Sequence, residues 1–481
     1  MPSSASWGTT AARDGPVVTE AVFLGADVGT SGLKLVALDG AGLVVAQAER
    51  EYAYDRPEPG RAEIDVRVWR AALDAALAEV GAALSGRRVR ALGLSGQMHG
   101  TVLVDAAGRP VRPAVLWPDA RAAAELDRWR GLPDGERAAL ANPLAAGMTG
   151  PVLAWLAAHE PGAVAGAAAV LLPKDALRAD LLPGGPLVTD RSDASATLLW
   201  DVVADRWSGA ATEAAGVPAD LLPDVRPGTE VVGTTPIAGA EVPVVVGGAD
   251  TPLALLAAGT TAGLQVNLGT GAQVLRPGAA PRPAADAVTH TYADVTGGWY
   301  AMAALQNGGS AWAWVRGVLG LSWAELFDAA AAAAPGAGGA LFRPFLTGER
   351  GGVAGADDRG GWTGLGAGTT RAELARAAVE GVAFAVGAAA RSLDVPGGVE
   401  HVVLTGGGVR APVVQQVLAD VLGRPVRHLP LRSASAIGAA VLAACGVGAD
   451  VEPQRPAGPL VEPRPDPRLA EAARRWADGS R

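Results

Sequence analysis

The chain has 481 residues, 49% hydrophobic and 19% charged, with a formal net charge of −9. That length exceeds one core and predicts two to four domains; the composition excludes a disordered chain, and an acidic balance without Arg/Lys clusters gives no nucleic-acid surface. One cysteine, Cys445, excludes an intrachain disulfide and fits a reducing, cytoplasmic setting, and no apolar run reaches the roughly 20 residues of a membrane span.

Residues 1–20 are polar, rich in Ser, Thr and Gly, and lack a signal-peptide apolar core, so they read as a disordered extension. An apolar run from Ala21 then meets Asp27-Val28-Gly29-Thr30-Ser31-Gly32-Leu33-Lys34, which reads as strand, tight turn, strand, continued by a strand over 43–47. Asp65 is placed to cap a helix reaching Leu84, with Val68, Leu73, Leu77 and Val80 at helical spacing. A buried strand over 89–94 leads into Ser95-Gly96-Gln97-Met98-His99-Gly100. Short strands at 103–105 and 115–117, helices from Asp119 and over 151–159, and a strand at 170–172 follow.

The second half repeats this logic. A strand over 242–246 ends in Gly247-Gly248-Ala249-Asp250 and a short helix to Ala258. A second turn, Asn267-Leu268-Gly269-Thr270-Gly271-Ala272-Gln273, echoes the first. Ser322…Glu325 and Thr370…Glu373 fit capping boxes, the second opening a long helix to Leu393. A strand over 402–404 ends in Thr405-Gly406-Gly407-Gly408, followed by helices over 412–422 and 435–444. The proline-dense stretch 451–467 reads as an extended wrap or loose end before a last helix over 468–476.

Two such Gly-Thr turns point backbone N–H groups and a threonine hydroxyl into a concavity suited to phosphate oxygens. Facing each other across a cleft between two related α/β domains, they would hold a nucleotide triphosphate from both sides, which points to phosphoryl transfer. Asp27, at a strand end, suits a Mg²⁺ ion held through water; the alternative is a carboxylate serving its own turn. Asp250 is either the base accepting a proton from an attacking hydroxyl or a plain helix N-cap. Only two lysines occur, Lys34 and Lys174, and Lys34 sits within the first turn. Gln97, Met98 and His99 between glycines suit a polyol pocket, and the Gly407-Gly408 loop suits adenine.

These stretches resemble the FGGY carbohydrate kinases, on the actin-like ATPase fold, from about residue 21 to 448. The resemblance rests on residues 27–34, on Gly96-Gln97-Met98-His99-Gly100, which is similar to the sugar segment of members acting on D-xylulose, and on Trp117-Pro118-Asp119-Ala120-Arg121. Lys174-Asp175, Ser192-Asp193-Ala194-Ser195, Leu346-Thr347-Gly348-Glu349-Arg350 and Gly406-Gly407-Gly408-Val409-Arg410 add to it. It implies an α/β chain of two actin-like (ribonuclease H-like) ATPase domains with an interdomain cleft. The expected division is 21–258, 259–450 and a tail 451–481.

The resemblance implies ATP-dependent phosphorylation of a ketose, D-xylulose first, at its terminal hydroxyl. Asp250 is then the catalytic base and Asp27 the magnesium-linked carboxylate. Gln97, Met98, His99, Asp250 and Thr251 are the expected sugar contacts; Gly29, Thr30, Ser31, Lys34, Gly269, Thr270, Gly407 and Gly408 are the expected ATP contacts. A homodimer is also implied. Three departures stand out. Thr251 replaces the usual Asn of xylulose-acting members, Pro151-Val152-Leu153-Ala154-Trp155 lacks a lysine, and Gly351-Gly352 replaces Thr-Pro. They bear on the sugar and leave the phosphate turns and the base intact. The rival readings are a kinase for ribulose, gluconate or glycerol, a sugar sensor on the same fold, and an actin-like ATPase chaperone. Too little chain flanks the two domains for the sensor's DNA-binding helices or the chaperone's peptide domain.

Overall fold

The computed structural model describes residues 21–84, 86–394 and 400–479; the expected disordered extension at 1–20 lies outside them. Two mixed sheets dominate. In the first, the strand order is 44–51, 32–39, 21–28, 88–96, 240–245, 231–237. The first three form an antiparallel meander, and strand Arg88–Gly96 joins parallel to Ala21–Val28. The second sheet repeats the pattern, with order 290–293, 299–305, 272–277, 264–268, 402–405, 426–428, 460–461. Its meander is again antiparallel, and Val402–Thr405 joins parallel to Leu264–Leu268.

The repeat is exact in register at the turn. Asp27 pairs with Ser95 across the parallel ladder of the first sheet, and Asn267 pairs with Thr405 in the second. Gly96-Gln97 and Gly406-Gly407 therefore leave equivalent strand ends. Sites at the carboxyl ends of such strands follow from this topology.

Helix Val66–Ala83 shows why the sequence folds as expected. Asp65 caps it by accepting from the Arg67 N–H at 2.9 Å, and Val66, Trp69, Leu73, Ala76 and Val80 are buried along one face. A cap of this kind contributes about 1 kcal/mol. Both capping boxes form, opening Trp323–Ala332 and Arg371–Ser392.

The alanine-rich helix Ala434–Gly446 belongs to the second half of the chain but lies on the first sheet. A Cβ on Gly25 would sit 1.9 Å from the Ala436 carbonyl oxygen, and one on Gly93 would sit 2.1 Å from that of Ala439. Gly438 in turn lets helix Asp250–Ala258 approach; a Cβ there would lie 2.0 Å from the Leu253 oxygen. The two helices that cross between the domains thus pack backbone to backbone.

Several expectations shift in detail. The helix from Asp119 begins only at Leu126, because Asp119 is buried and committed to the Ala62 N–H and to Arg121. The tail is a wrap: the Gln454 N–H donates to Gly42 O, Arg455 donates to Ala257 O, and Leu460–Val461 extends the second sheet. Its helix, Pro467–Asp478, buries Leu469, Ala472 and Trp476 against the second core. Strands 231–237, 290–293, 299–305 and 426–428 had no sequence reading.

Candidate active site

The first turn closes with the Gly29 N–H donating to Gly32 O at 3.0 Å, the second with the Gly269 N–H donating to Gly271 O at 2.9 Å. The N–H groups of Thr30 and Ser31, and of Thr270 and Gly271, have no partner among the described residues. Each turn therefore offers two adjacent donors, as an anion cradle needs. The hydroxyls differ. Thr30 donates to Gln97 Oε1 at 3.1 Å and accepts from Trp117 Nε1 at 2.9 Å. Thr270 is exposed, its hydroxyl has no hydrogen-bond partner among the described residues, and its carbonyl is held by Gly308 and Ser310 N–H groups beside helix Gly309–Leu319. Thr30 thus ties the turn to the sugar segment, while Thr270 lies exposed.

Gln97 completes that tie by donating to Gly29 O at 3.1 Å, where the Tyr52 hydroxyl also donates at 2.7 Å. A cavity of about 690 Å³ opens here, lined by Asp27, Gly29, Thr30, Ser31, Lys34 and Tyr52 among others. A second, of about 670 Å³, lies between the domains, with Lys34 and Glu49 on one wall and Gly406, Gly407, Arg410 and Ser433 on the other. Lys34 reaches toward Glu49 at 3.7 Å and lines both. Gly407 faces the second cavity. Gly408 packs beneath the second turn, where a Cβ would meet Leu268 Cδ2 at 2.0 Å.

Asp27 accepts from the Ser95 hydroxyl at 2.9 Å. Burial raises its pKa, against the pull of Ser95 and Lys34. Asp250 is the first residue of its helix, with Ala249 at the N-cap position. Its carboxylate accepts from the Thr251 N–H at 2.6 Å and the Thr251 hydroxyl at 3.1 Å. Burial, then the Asp27 carboxylate, push its pKa up to about 7 against those two bonds. A carboxyl poised there both accepts and releases a proton near neutral pH.

His99 holds φ at 72°, a strained region for a non-glycine residue. Its backbone carbonyl accepts from Thr149 Oγ1 at 3.0 Å, and Nδ1 lies 2.6 Å from the Ala196 carbonyl. A carbonyl only accepts, so Nδ1 carries the proton and Nε2 is the acceptor. Burial lowers the His99 pKa to about 4, keeping the ring neutral.

The opposite wall comes from the second sheet. Tyr292 lies tilted at 53° to His99 with ring centroids 5.9 Å apart, and Tyr300 places its hydroxyl 3.8 Å from Met98 Sδ. His290 meets the Tyr292 hydroxyl at 2.6 Å through Nδ1. Arg350, whose guanidinium has no partner among the described residues, adds positive charge that depresses His99 and His290 further. None of Tyr52, His290, Tyr292 or Tyr300 was singled out from the sequence. The signal available was rarity: of only four tyrosines, three stand here.

Residues 22–257 match the N-terminal domain, and residues 264–447 the C-terminal domain, of the FGGY family of carbohydrate kinases. The chain belongs to that family. It is a carbohydrate kinase, transferring a phosphoryl group from ATP to an alcohol, on the two-domain actin-like fold of the family. It is 33% identical to the xylulose kinase of Escherichia coli (strain K12) over 439 residues, 88% of this chain and 89% of that one. It is 34% identical to the glycerol kinase of Aromatoleum aromaticum over 453 residues, 89% and 90% of the two chains. The crystal structure of xylulose kinase from Rhodospirillum rubrum superposes with a TM-score of 0.85 at 28% identity, covering 95% and 97%. Among the described residues no helix is long and apolar enough to cross a membrane.

Proposed function

We propose that this FGGY kinase phosphorylates D-xylulose to D-xylulose 5-phosphate, with Asp250 as general base. The observation that carries the reading is the Asp250 carboxyl, buried beside Asp27 at the mouth of the sugar segment with its pKa raised to about 7. A hydroxyl bound there loses its proton to Asp250 as it attacks the γ-phosphorus of ATP. His99 Nε2 accepts from a sugar hydroxyl, Met98 packs against the carbon chain, and Gln97 holds the first turn against the pocket. The free N–H groups of Thr30, Ser31 and Thr270, with Lys34, stabilise charge on the phosphoryl oxygens. Gly407 and the wall around Arg410 receive the nucleoside.

Asp27 suits Mg²⁺: it is one hard oxygen donor beside the phosphate turn, facing a second carboxylate whose repulsion a cation relieves. Magnesium bound by one carboxylate, water and phosphate oxygens is the usual arrangement, and it would neutralise charge on the nucleotide. A cytoplasmic location and a homodimer complete the reading; light scattering tests the latter.

A second reading, phosphorylation of a smaller polyol such as glycerol, is favoured by one observation. The Thr251 side chain turns to Asp250 where xylulose-acting members carry an Asn for the sugar. Initial rates of ADP formation with D-xylulose and glycerol decide between the two: a higher kcat/KM for glycerol overturns the first.

A further inference from the structure

Lys174 is fully buried behind the wall of this site. A Cβ on Gly96 would come within 3.0 Å of its backbone nitrogen, and one on Gly247 within 3.4 Å of its Cδ. Its ammonium meets Asp175 Oδ1 at 2.6 Å, Asp190 Oδ1 at 2.9 Å and Asp193 Oδ2 at 2.9 Å. Buried Arg178 shares Asp175 Oδ1 at 2.7 Å. Burial alone would strip the Lys174 proton, but the three carboxylates outweigh it and raise the pKa. Burying five ionisable groups costs several kcal/mol per ion, which good pairing offsets without a net gain. Stability therefore gives little account of the cluster, and its connections give a better one.

Those connections lead to both ends of the loop that carries Asp250. Arg178 donates to the Val246 carbonyl, where the strand gives out. Asp190 Oδ2 accepts from the Ser192 N–H at 2.7 Å and from the Ser192 hydroxyl. With its proton committed to Asp190, the Ser192 oxygen turns a lone pair outward and accepts the Ala249 N–H at 2.9 Å. Ala249 directly precedes Asp250. Three residues on, Ser195 Oγ accepts the Ala293 N–H at 2.9 Å, from the strand that carries Tyr292. One short turn, Arg191–Ala194 with Ser195, thus touches the base loop of the first domain and the pocket wall of the second.

We propose that Ser192 is a positioning residue: locked by Asp190 and Lys174, its hydroxyl holds the Ala249 N–H and so aims the Asp250 carboxylate. This rests on the reading of Asp250 as the base. Ser192→Ala removes only the hydroxyl. It should lower kcat about ten- to a hundredfold, the scale of a small misplacement of a reacting group, with KM for sugar and for ATP within about twofold. Ser192→Thr, which keeps the oxygen, should recover most of the loss. Amide hydrogen exchange over residues 247–251 should rise in Ser192→Ala, a readout that needs no turnover. A kcat within twofold of the parent's, unchanged exchange, or losses in both variants that merely track their melting temperatures would overturn the proposal. A parent that turns over no sugar overturns the base assignment instead, and exchange then decides the tether by itself.

Discussion

The Thr251 hydroxyl donates to Asp250 Oδ1 at 3.1 Å, on the same oxygen that accepts the Thr251 N–H at 2.6 Å. Both bonds favour the ionised carboxylate. Removing the hydroxyl in Thr251→Val leaves burial and the charge of Asp27 less opposed. The midpoint of kcat/KM against pH should move up from about 7, with Tyr292 and Tyr300 the other titratable groups facing Asp250. A midpoint that stays or falls contradicts this. Thr251→Asn removes the hydroxyl bond, keeps the backbone N–H bond to the same oxygen, and adds an amide for the sugar. It should lower KM for D-xylulose by up to about tenfold, one hydrogen bond's worth.

The raised pKa of Asp250 also makes a statement about stability. Its carboxyl titrates near 3.8 unperturbed and at about 7 in the fold, so the folded state binds the extra proton between those values. Rising pH therefore costs stability through that window, and the full penalty stands above it. It is on the order of a few kcal/mol at one pKa unit per ~1.4 kcal/mol. Asp250→Asn should be inactive yet melt higher than the parent at pH 8, with the gain shrinking toward pH 4. Thermal melts at both pH values check this; a variant that melts lower at pH 8 would argue against a strained, buried base.

His99 is held neutral by burial, with its pKa at about 4. The ring should therefore add no pH dependence to KM for the sugar from pH 5.5 to 8, and His99→Ala should raise KM about tenfold with a smaller change in kcat. A KM that climbs as pH falls from 7 to 5.5 in the parent and not in His99→Gln would mean the ring titrates in the working range.

Gly25 meets the Ala436 carbonyl so closely that no side chain fits. Gly25→Ala should destabilise the chain by about 3 kcal/mol or more, the upper end for overpacking, because helix Ala434–Gly446 must lift from the first sheet. Denaturant unfolding reads this directly, and a loss under about 1 kcal/mol would show that the helix is not seated as described.

Much of the architecture was legible because local chemistry declares it. Asp65, Ser322 and Thr370 mark helix starts in their own side chains, and the two Gly-Thr turns announce a repeat that the register of Asp27 with Ser95 and Asn267 with Thr405 bears out. The strands of the second meander beyond Pro277 were not read, since Tyr292 and Tyr300 lie between short, glycine-broken runs with no clear alternation. The pocket's second wall was lost with them. Lys174 was flagged only by rarity. That its ammonium would meet three carboxylates depends on contacts up to 19 residues apart in sequence, which no local pattern encodes.

The central claim is tested most directly by ADP release from Mg-ATP across D-xylulose, D-ribulose, L-ribulose, gluconate, glycerol and xylitol, with Asp250→Ala alongside. The account predicts the highest kcat/KM with D-xylulose and a loss of about a hundred- to ten-thousandfold in the variant, the contribution of an oriented general base. Sugar-dependent turnover in Asp250→Ala within about tenfold of the parent's, well short of that range, or a best substrate other than D-xylulose, would contradict it.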